Sequence, residues 1–136
     1  MKLSTRTRYG TRALVELAWA WPDAPVSVRD MAKSQKLSVK YLENILVPLK
    51  SAGLVTAARG VKGGYKLTRA PEKVRLSDIY EVLEGSSAPV ACVDDPESCP
   101  LRKDCPTRDV WCRLGQAVQD VLDGTTLADL AKKKGS

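Results

Sequence analysis

A mainly α-helical fold with one small β-hairpin and a long C-terminal helix is what this sequence predicts, and three observations predict it. Serines stand ahead of three successive apolar periodicities of helical spacing between residues 4 and 51. A β-rich run folded about a glycine cluster follows, GLVTAARGVKGGYKLTR at 53–69. After Pro106 comes a wide apolar stripe that ends at Gly124.

Each element has its own local reason. Ser4 or Thr5 caps a first helix with Tyr9, Ala13, Leu14, Leu17, Ala18 and Trp21 at helical spacing, and Pro22 stops it. Ser27, with Asp30 three residues later, reads as a capping box for a short second helix through about Ser34, with Val28, Met31 and Ala32 inward. Ser38 caps a third helix whose inward stripe is Leu42, Ile45, Leu46 and Leu49, while Lys40, Tyr41 and Glu43 point elsewhere. Pro48 removes one backbone hydrogen bond there, so the regular part is expected to kink or end near Val47. Two short capped helices joined by a tight turn make a helix-turn-helix, and a basic hairpin placed directly after it makes the wing of a winged helix. LSDIYEVLEG at 76–85 predicts a further helix with Ile79, Val82 and Leu83 inward and Gly85 as its stop.

Pro106 is read as the first residue of the long helix, with Cys105 as its N-cap. The stripe comprises Val110, Trp111, Leu114, Ala117, Val118, Val121 and Leu122. It serves either the chain's own first helix or the same helix of a second copy, which would place two reading helices in successive major grooves. Thr126 with Asp129 opens a last helical turn, and KKKGS reads as a frayed tail.

Composition narrows the function. The 136 residues are 43% hydrophobic, enough for one core, and no apolar run approaches the roughly 18 residues of a membrane span, so a cytoplasmic protein is expected. The chain holds no histidine, which removes the commonest catalytic base and neutral metal ligand. No Ser/His/Asp, Cys/His or phosphate-binding glycine motif is present, so no enzyme and no small-molecule substrate are expected. The net charge of +6 is unevenly spread. Residues 1–75 hold 15 Lys or Arg against 5 Asp or Glu, a balance of +10, and residues 76–136 hold 7 against 11, a balance of −4. The basic half is the candidate for a polyanion, with Ser38, Lys40, Tyr41 and Glu43 at the reading end of the third helix and Arg59 and Lys62 at the hairpin tip.

All four cysteines lie in CVDDPESCPLRKDCPTRDVWC at 92–112. Where thiols stay reduced, such spacing reads as a metal site or redox switch before a disulfide framework. The C-x6-C-x5-C spacing of Cys92, Cys99 and Cys105, with proline after the last two, suits a loop wrapped around an iron–sulfur cluster. A four-thiolate zinc site and a metal-free thiol switch are the alternatives. Cys112 is the weakest ligand candidate, because seven residues along one helix would separate it from Cys105 by about 10 Å.

In combination, MKLSTRTRYG, SVKYLENILVPLKSAGLV, RGVKGGYKL, LSDIYEVLEG, the cysteine loop and TTLADL resemble the bacterial winged-helix iron–sulfur transcriptional regulators, the family of the cluster-biogenesis regulator IscR and the nitric-oxide sensor NsrR. The resemblance runs over about residues 1–130. It implies a homodimer on double-stranded promoter DNA, with recognition-helix residues at Ser38, Lys40, Tyr41 and Glu43, a minor-groove arginine at Arg59, and a [2Fe-2S] or alternatively [4Fe-4S] cluster on Cys92, Cys99 and Cys105. Some relatives lack the cysteines and regulate sulfur metabolism through a protein partner, so the cysteines favour the cluster-bearing branch. Two positions depart from the pattern. The histidine three residues after the third cysteine of the biogenesis regulators is Arg108 here, and the acidic residue near position 8 of the nitric-oxide sensors is replaced by Arg8 and Arg12.

The expected organisation is therefore a winged helix-turn-helix DNA-binding domain at 1–85, a cluster-binding loop at 86–105, and a dimerisation helix with its tail at 106–136. The expected function is cluster-dependent transcriptional regulation, of cluster-biogenesis genes by resemblance. A nitric-oxide or redox-sensing repressor, or a zinc-stabilised or thiol-switch regulator acting through a protein partner, is the alternative.

Overall fold

The structure is a computed structural model that describes residues 3–60 and 63–133. The chain order is α1 (Thr5–Trp19), α2 (Val28–Gln35), α3 (Val39–Ser51), β1 (Val55–Ala58), β2 (Gly64–Leu67), α4 (Leu76–Leu83), a single turn α5 (Ala91–Asp94), α6 (Arg108–Gly124) and α7 (Leu127–Ala131). The fold is mainly α with one antiparallel hairpin, a winged helix-turn-helix. None of these helices is long and apolar enough to cross a membrane.

The serine caps are where the sequence places them. Ser4, Ser27 and Ser38 accept from the N–H groups of Thr7, Asp30 and Tyr41, each satisfying one otherwise unpaired donor of a first turn. Thr126 and Asp129 cap α7 reciprocally, at 3.1 and 2.9 Å. Inside, Ala13, Leu14 and Leu17 of α1 meet Met31 and Ala32 of α2, the Leu42, Ile45, Leu46 and Leu49 stripe of α3, Val55 and Leu67 of the hairpin, and Ile79 and Leu83 of α4. At Gly10 the helices close to backbone distance: a Cβ there would lie 2.4 Å from Leu83 Cδ1 and 3.0 Å from Ile45 Cγ2. Glycine lets α1 wedge between α3 and α4.

The hairpin pairs Val55 with Leu67 and Ala58 with Gly64. A third edge joins it from before α2, where Val26 and Tyr65 exchange hydrogen bonds of 2.8 and 2.9 Å. The far end of the chain is stitched back: Leu76 N–H donates to Thr125, Leu127 N–H donates to Val74, and Trp19 Nε1 donates to the Ala131 carbonyl at 2.9 Å.

Three local expectations are corrected. α3 does not end near Val47 but runs through Pro48 to Ser51, because Leu46 and Leu49 on either side are completely buried and their burial holds the turn against a local cost of about 3 kcal/mol. Val82 packs half-buried against the core with Ile79 and Leu83, as expected, and Tyr80 is buried as well. α6 begins at Arg108, not Pro106, and its N-cap is Thr107, not Cys105. The Thr107 hydroxyl makes no cap and lies 3.3 Å from Cys105 Sγ. The tail expected to fray lies, from residue 134 on, outside the described residues.

Candidate nucleic-acid interface and cysteine loop

The first turn of α3 presents Lys40 and Glu43 to solvent, together with Val39, 42% exposed. Sequence reasoning missed Val39, although an apolar group between Ser38 and Lys40 is suited to a thymine methyl. Ser38 is exposed, with its hydroxyl committed to the cap at 3.1 Å from Tyr41 N. Tyr41 is different from its neighbours. Its ring is half-buried edge-on to Tyr9, centroids 6.3 Å apart and planes at 84°, and its hydroxyl lies 3.3 Å from Thr5 Oγ1. Arg12 in turn covers the Tyr9 ring at 5.6 Å. Tyr41 is thus a half-buried strut between α1 and α3.

Arg59 is exposed at the hairpin tip, beside Gly60, whose φ of +110° needs a residue without a side chain. Lys62 lies outside the described residues. Glu43 sits near enough to the hairpin to add to the effect of burial in raising the Tyr65 hydroxyl above its ordinary range. Among the described residues the ion pairs are Arg69–Asp78, Arg102–Glu97, Arg113–Asp109 and Lys132–Asp129. Arg29, Lys33, Lys36, Lys40 and Arg59 therefore carry uncompensated charge on α2, α3 and the wing, a field suited to phosphates.

The second site is the cysteine loop. Cys92 is on α5, Cys99 follows a 3-10 turn over Pro96–Ser98, Cys105 precedes α6, and Cys112 is in its second turn. All four are free thiols, each half-buried. The loop is tied to α6 by Ser87 Oγ donating to Gln119 Oε1 at 2.9 Å, and it packs so closely that a Cβ on Gly115 would lie 3.2 Å from Pro89 Cδ. Ser86 and Asp94, Ser98 and the Asp95 carbonyl (2.7 Å), and Arg102 and Glu97 (3.1 Å) brace it internally. The Cys105 thiol is held below its ordinary range, first by the Thr107 hydroxyl and then by the Thr107 N–H, with the Arg108 charge adding in the same sense. Cys112 lines a shallow cleft between α6 and the start of the loop, with Ser87, Val93 and Gly115.

Thiolates are the donors that an iron–sulfur cluster takes, and the set fits that group chemically. Their placement does not: among the described residues no three Cys, His, Asp or Glu side chains converge on one point at metal-binding distance. Ligation would require the loop to close.

At the base of this loop, Glu84 accepts from the hydroxyls of Ser4, at 2.6 Å, and Thr7, and these bonds hold its carboxyl below the usual range. No sequence signal pointed to it, because the partners are 80 and 77 residues apart.

Comparison with known proteins identifies the architecture. Residues 3–133 match the Rrf2 family, described as iron-dependent transcriptional regulators. The chain belongs to the Rrf2 family. Among Rrf2-family relatives it is 43% identical to the HTH-type transcriptional regulator CymR of Bacillus subtilis, covering 96% of this chain and 90% of that one. It is 41% identical to protein rrf2 of Nitratidesulfovibrio vulgaris, covering 97% and 88%. Among solved structures, CymR, the global cysteine regulator of B. subtilis, superposes with a TM-score of 0.84 at 40% identity over 99% of both chains. T. potens IscR superposes with 0.80 at 37% identity over 97% of this chain and 87% of that one. As an Rrf2-family member the protein is a DNA-binding transcriptional regulator and not an enzyme.

Proposed function

We propose that this regulator binds promoter DNA as a homodimer in the cytoplasm, and that the cysteine loop sets its occupancy. In this reading residues 1–85 read the DNA, 86–105 sense and 106–136 dimerise. The first turn of α3 enters the major groove with Ser38, Lys40, Glu43 and the half-buried Tyr41, and the wing brings Arg59 and Lys62 to the neighbouring minor groove. Dimerisation is supported by α6, where Val110, Trp111, Leu114 and Val121 are 37 to 64% exposed along one stripe.

The observation that carries the sensing role is the gathering of three of the chain's four thiols, all unpaired, into one loop fastened to that helix, which itself carries the fourth. Cys92, Cys99 and Cys105 would hold an iron–sulfur cluster, [2Fe-2S] before [4Fe-4S], with Cys112 as the least suited of four candidate ligands. When bound, such a group supplies a centre sensitive to iron supply, oxidants and nitric oxide. The protein's own residues do the rest: Thr107 and Arg108 favour the charged form of Cys105, and Gly115 lets the loop rest on α6. Genes of cluster biogenesis are the proposed targets.

A second, metal-free reading is favoured by the lack of convergence of three ligands among the described residues and by the accessible, acidified thiol of Cys105. One pair of measurements separates the two. Protein purified without oxygen is expected to be coloured, and to bind a selected duplex with an affinity that falls steeply with salt and changes when the colour is bleached. A colourless protein free of iron, whose affinity still changes on thiol oxidation, establishes the switch instead.

A further inference from the structure

The sensing loop and the DNA-reading turn of α3 are joined within one protomer by a short run of contacts that passes through the first turn of α1. Glu84 closes α4, two residues before the serines that begin the loop and bind α6 and α5. Its carboxylate accepts from the Ser4 and Thr7 hydroxyls and, at 3.4 Å, from the Ser4 N–H, so it completes the N-terminus of α1 from another element. Between those two residues stands Thr5, whose hydroxyl meets that of Tyr41. Tyr41 N–H is the donor to the Ser38 cap that begins the reading helix. At Gly10 α1 is wedged against Leu83 and Ile45 with no slack, so a shift of the end of α4 has to move α1 against α3 rather than dissipate in loose packing.

We infer that Glu84 is a positioning residue for DNA reading, which acts through Ser4, Thr5 and Thr7 on Tyr41 and so conveys the state of the cysteine loop to the recognition helix of the same subunit. The inference rests on the proposed regulatory role of the loop. It assigns the bistable element to the first turn of α1: when loop rearrangement displaces Glu84, the turn loses its carboxylate cap and the Tyr41 strut its anchor.

The test uses the full chain, a duplex selected from a random pool by the wild type, and N-ethylmaleimide as the agent that alters the loop. The quantity read is the ratio of Kd before and after alkylation. The wild type is expected to give a ratio of about fivefold or more, and Glu84→Ala one close to one, with Glu84→Gln between them because its carbonyl still accepts. A residue that only stabilised the fold would change both Kd values alike and leave the ratio intact. In the wild type, backbone amide resonances of residues 39–42 should move on alkylation, and in Glu84→Ala they should stay. If Glu84→Ala does not fold, Thr5→Val, which deletes one exposed hydroxyl, provides the same reading. A wild-type ratio retained in these variants overturns the coupling and leaves the loop a regulator. A wild-type ratio of one overturns the regulatory loop itself, and the coupling with it.

Discussion

At Arg59 and Cys105, the surroundings decide what each side chain can do. Arg59 stands exposed at the tip of the wing with no carboxylate within ion-pairing distance among the described residues. A guanidinium so placed is drawn to a narrow minor groove, whose width depends on sequence. Arg59→Ala should therefore weaken binding by about tenfold or more on operators with an A·T-rich step beneath the wing, and less on others; a competition gel shift with paired duplexes measures it. Equal losses on both would make Arg59 a plain phosphate contact. Cys105 differs from the other thiols through Thr107, whose hydroxyl and N–H both stabilise the thiolate. Because its folded-state pKa is lowered, the reactive anion persists as pH falls through the ordinary thiol range. Limited alkylation with iodoacetamide near pH 7, followed by peptide mass analysis, should label Cys105 first, and Thr107→Val should remove that lead.

At the scale of elements, what the sequence made legible was local and what it hid was tertiary. The serines at 4, 27 and 38 are read correctly because a cap needs only a side-chain oxygen two or three residues from the donor. Pro48 misled because its penalty is local, whereas Leu46 and Leu49, which keep the turn helical, are held by residues far along the chain. The Val26–Tyr65 bridge and the Glu84 contacts join distant segments and leave no periodicity to read. The turn between α2 and α3 holds another such case. Lys36 takes φ +58° as the C-cap of α2, a left-handed conformation usually given to glycine, while Leu37 N–H reaches back to Ala32 at 2.9 Å. Relief of that strain exceeds the added freedom of the unfolded chain, so Lys36→Gly should stabilise the protein by about 0.5–1 kcal/mol. Thermal melting would check it, and a lower Tm would show that the lysine stem contributes packing that outweighs the strain.

For the whole molecule, the decisive fact is that α6 is only half used by its own chain. Leu122 is buried and Gly115 receives the cysteine loop, yet Val121 is 64% exposed and Leu114 45%. The exposed stripe runs into an apolar groove in which Leu3, Leu76 and Tyr80 meet Val118, Val121 and Leu122, so one surface joins the long helix to the DNA-binding body. Burial of this stripe against a second copy would bring two reading turns under one two-fold axis and make DNA occupancy, below the dimerisation constant, rise with the square of protomer concentration. Val121→Asp places a charge in the middle of that stripe, where the free protomer is open to water, so it should leave the melting of the isolated fold nearly unchanged while it abolishes association. Sedimentation velocity should give a dimer for the wild type and a monomer for the variant. In a gel shift on a two-half-site duplex, the variant should lose at least about a hundredfold in affinity, because each half must then bind alone. A Val121→Asp protein that still sediments as a dimer would move the interface off α6, and with it the proposed spacing of the two reading helices.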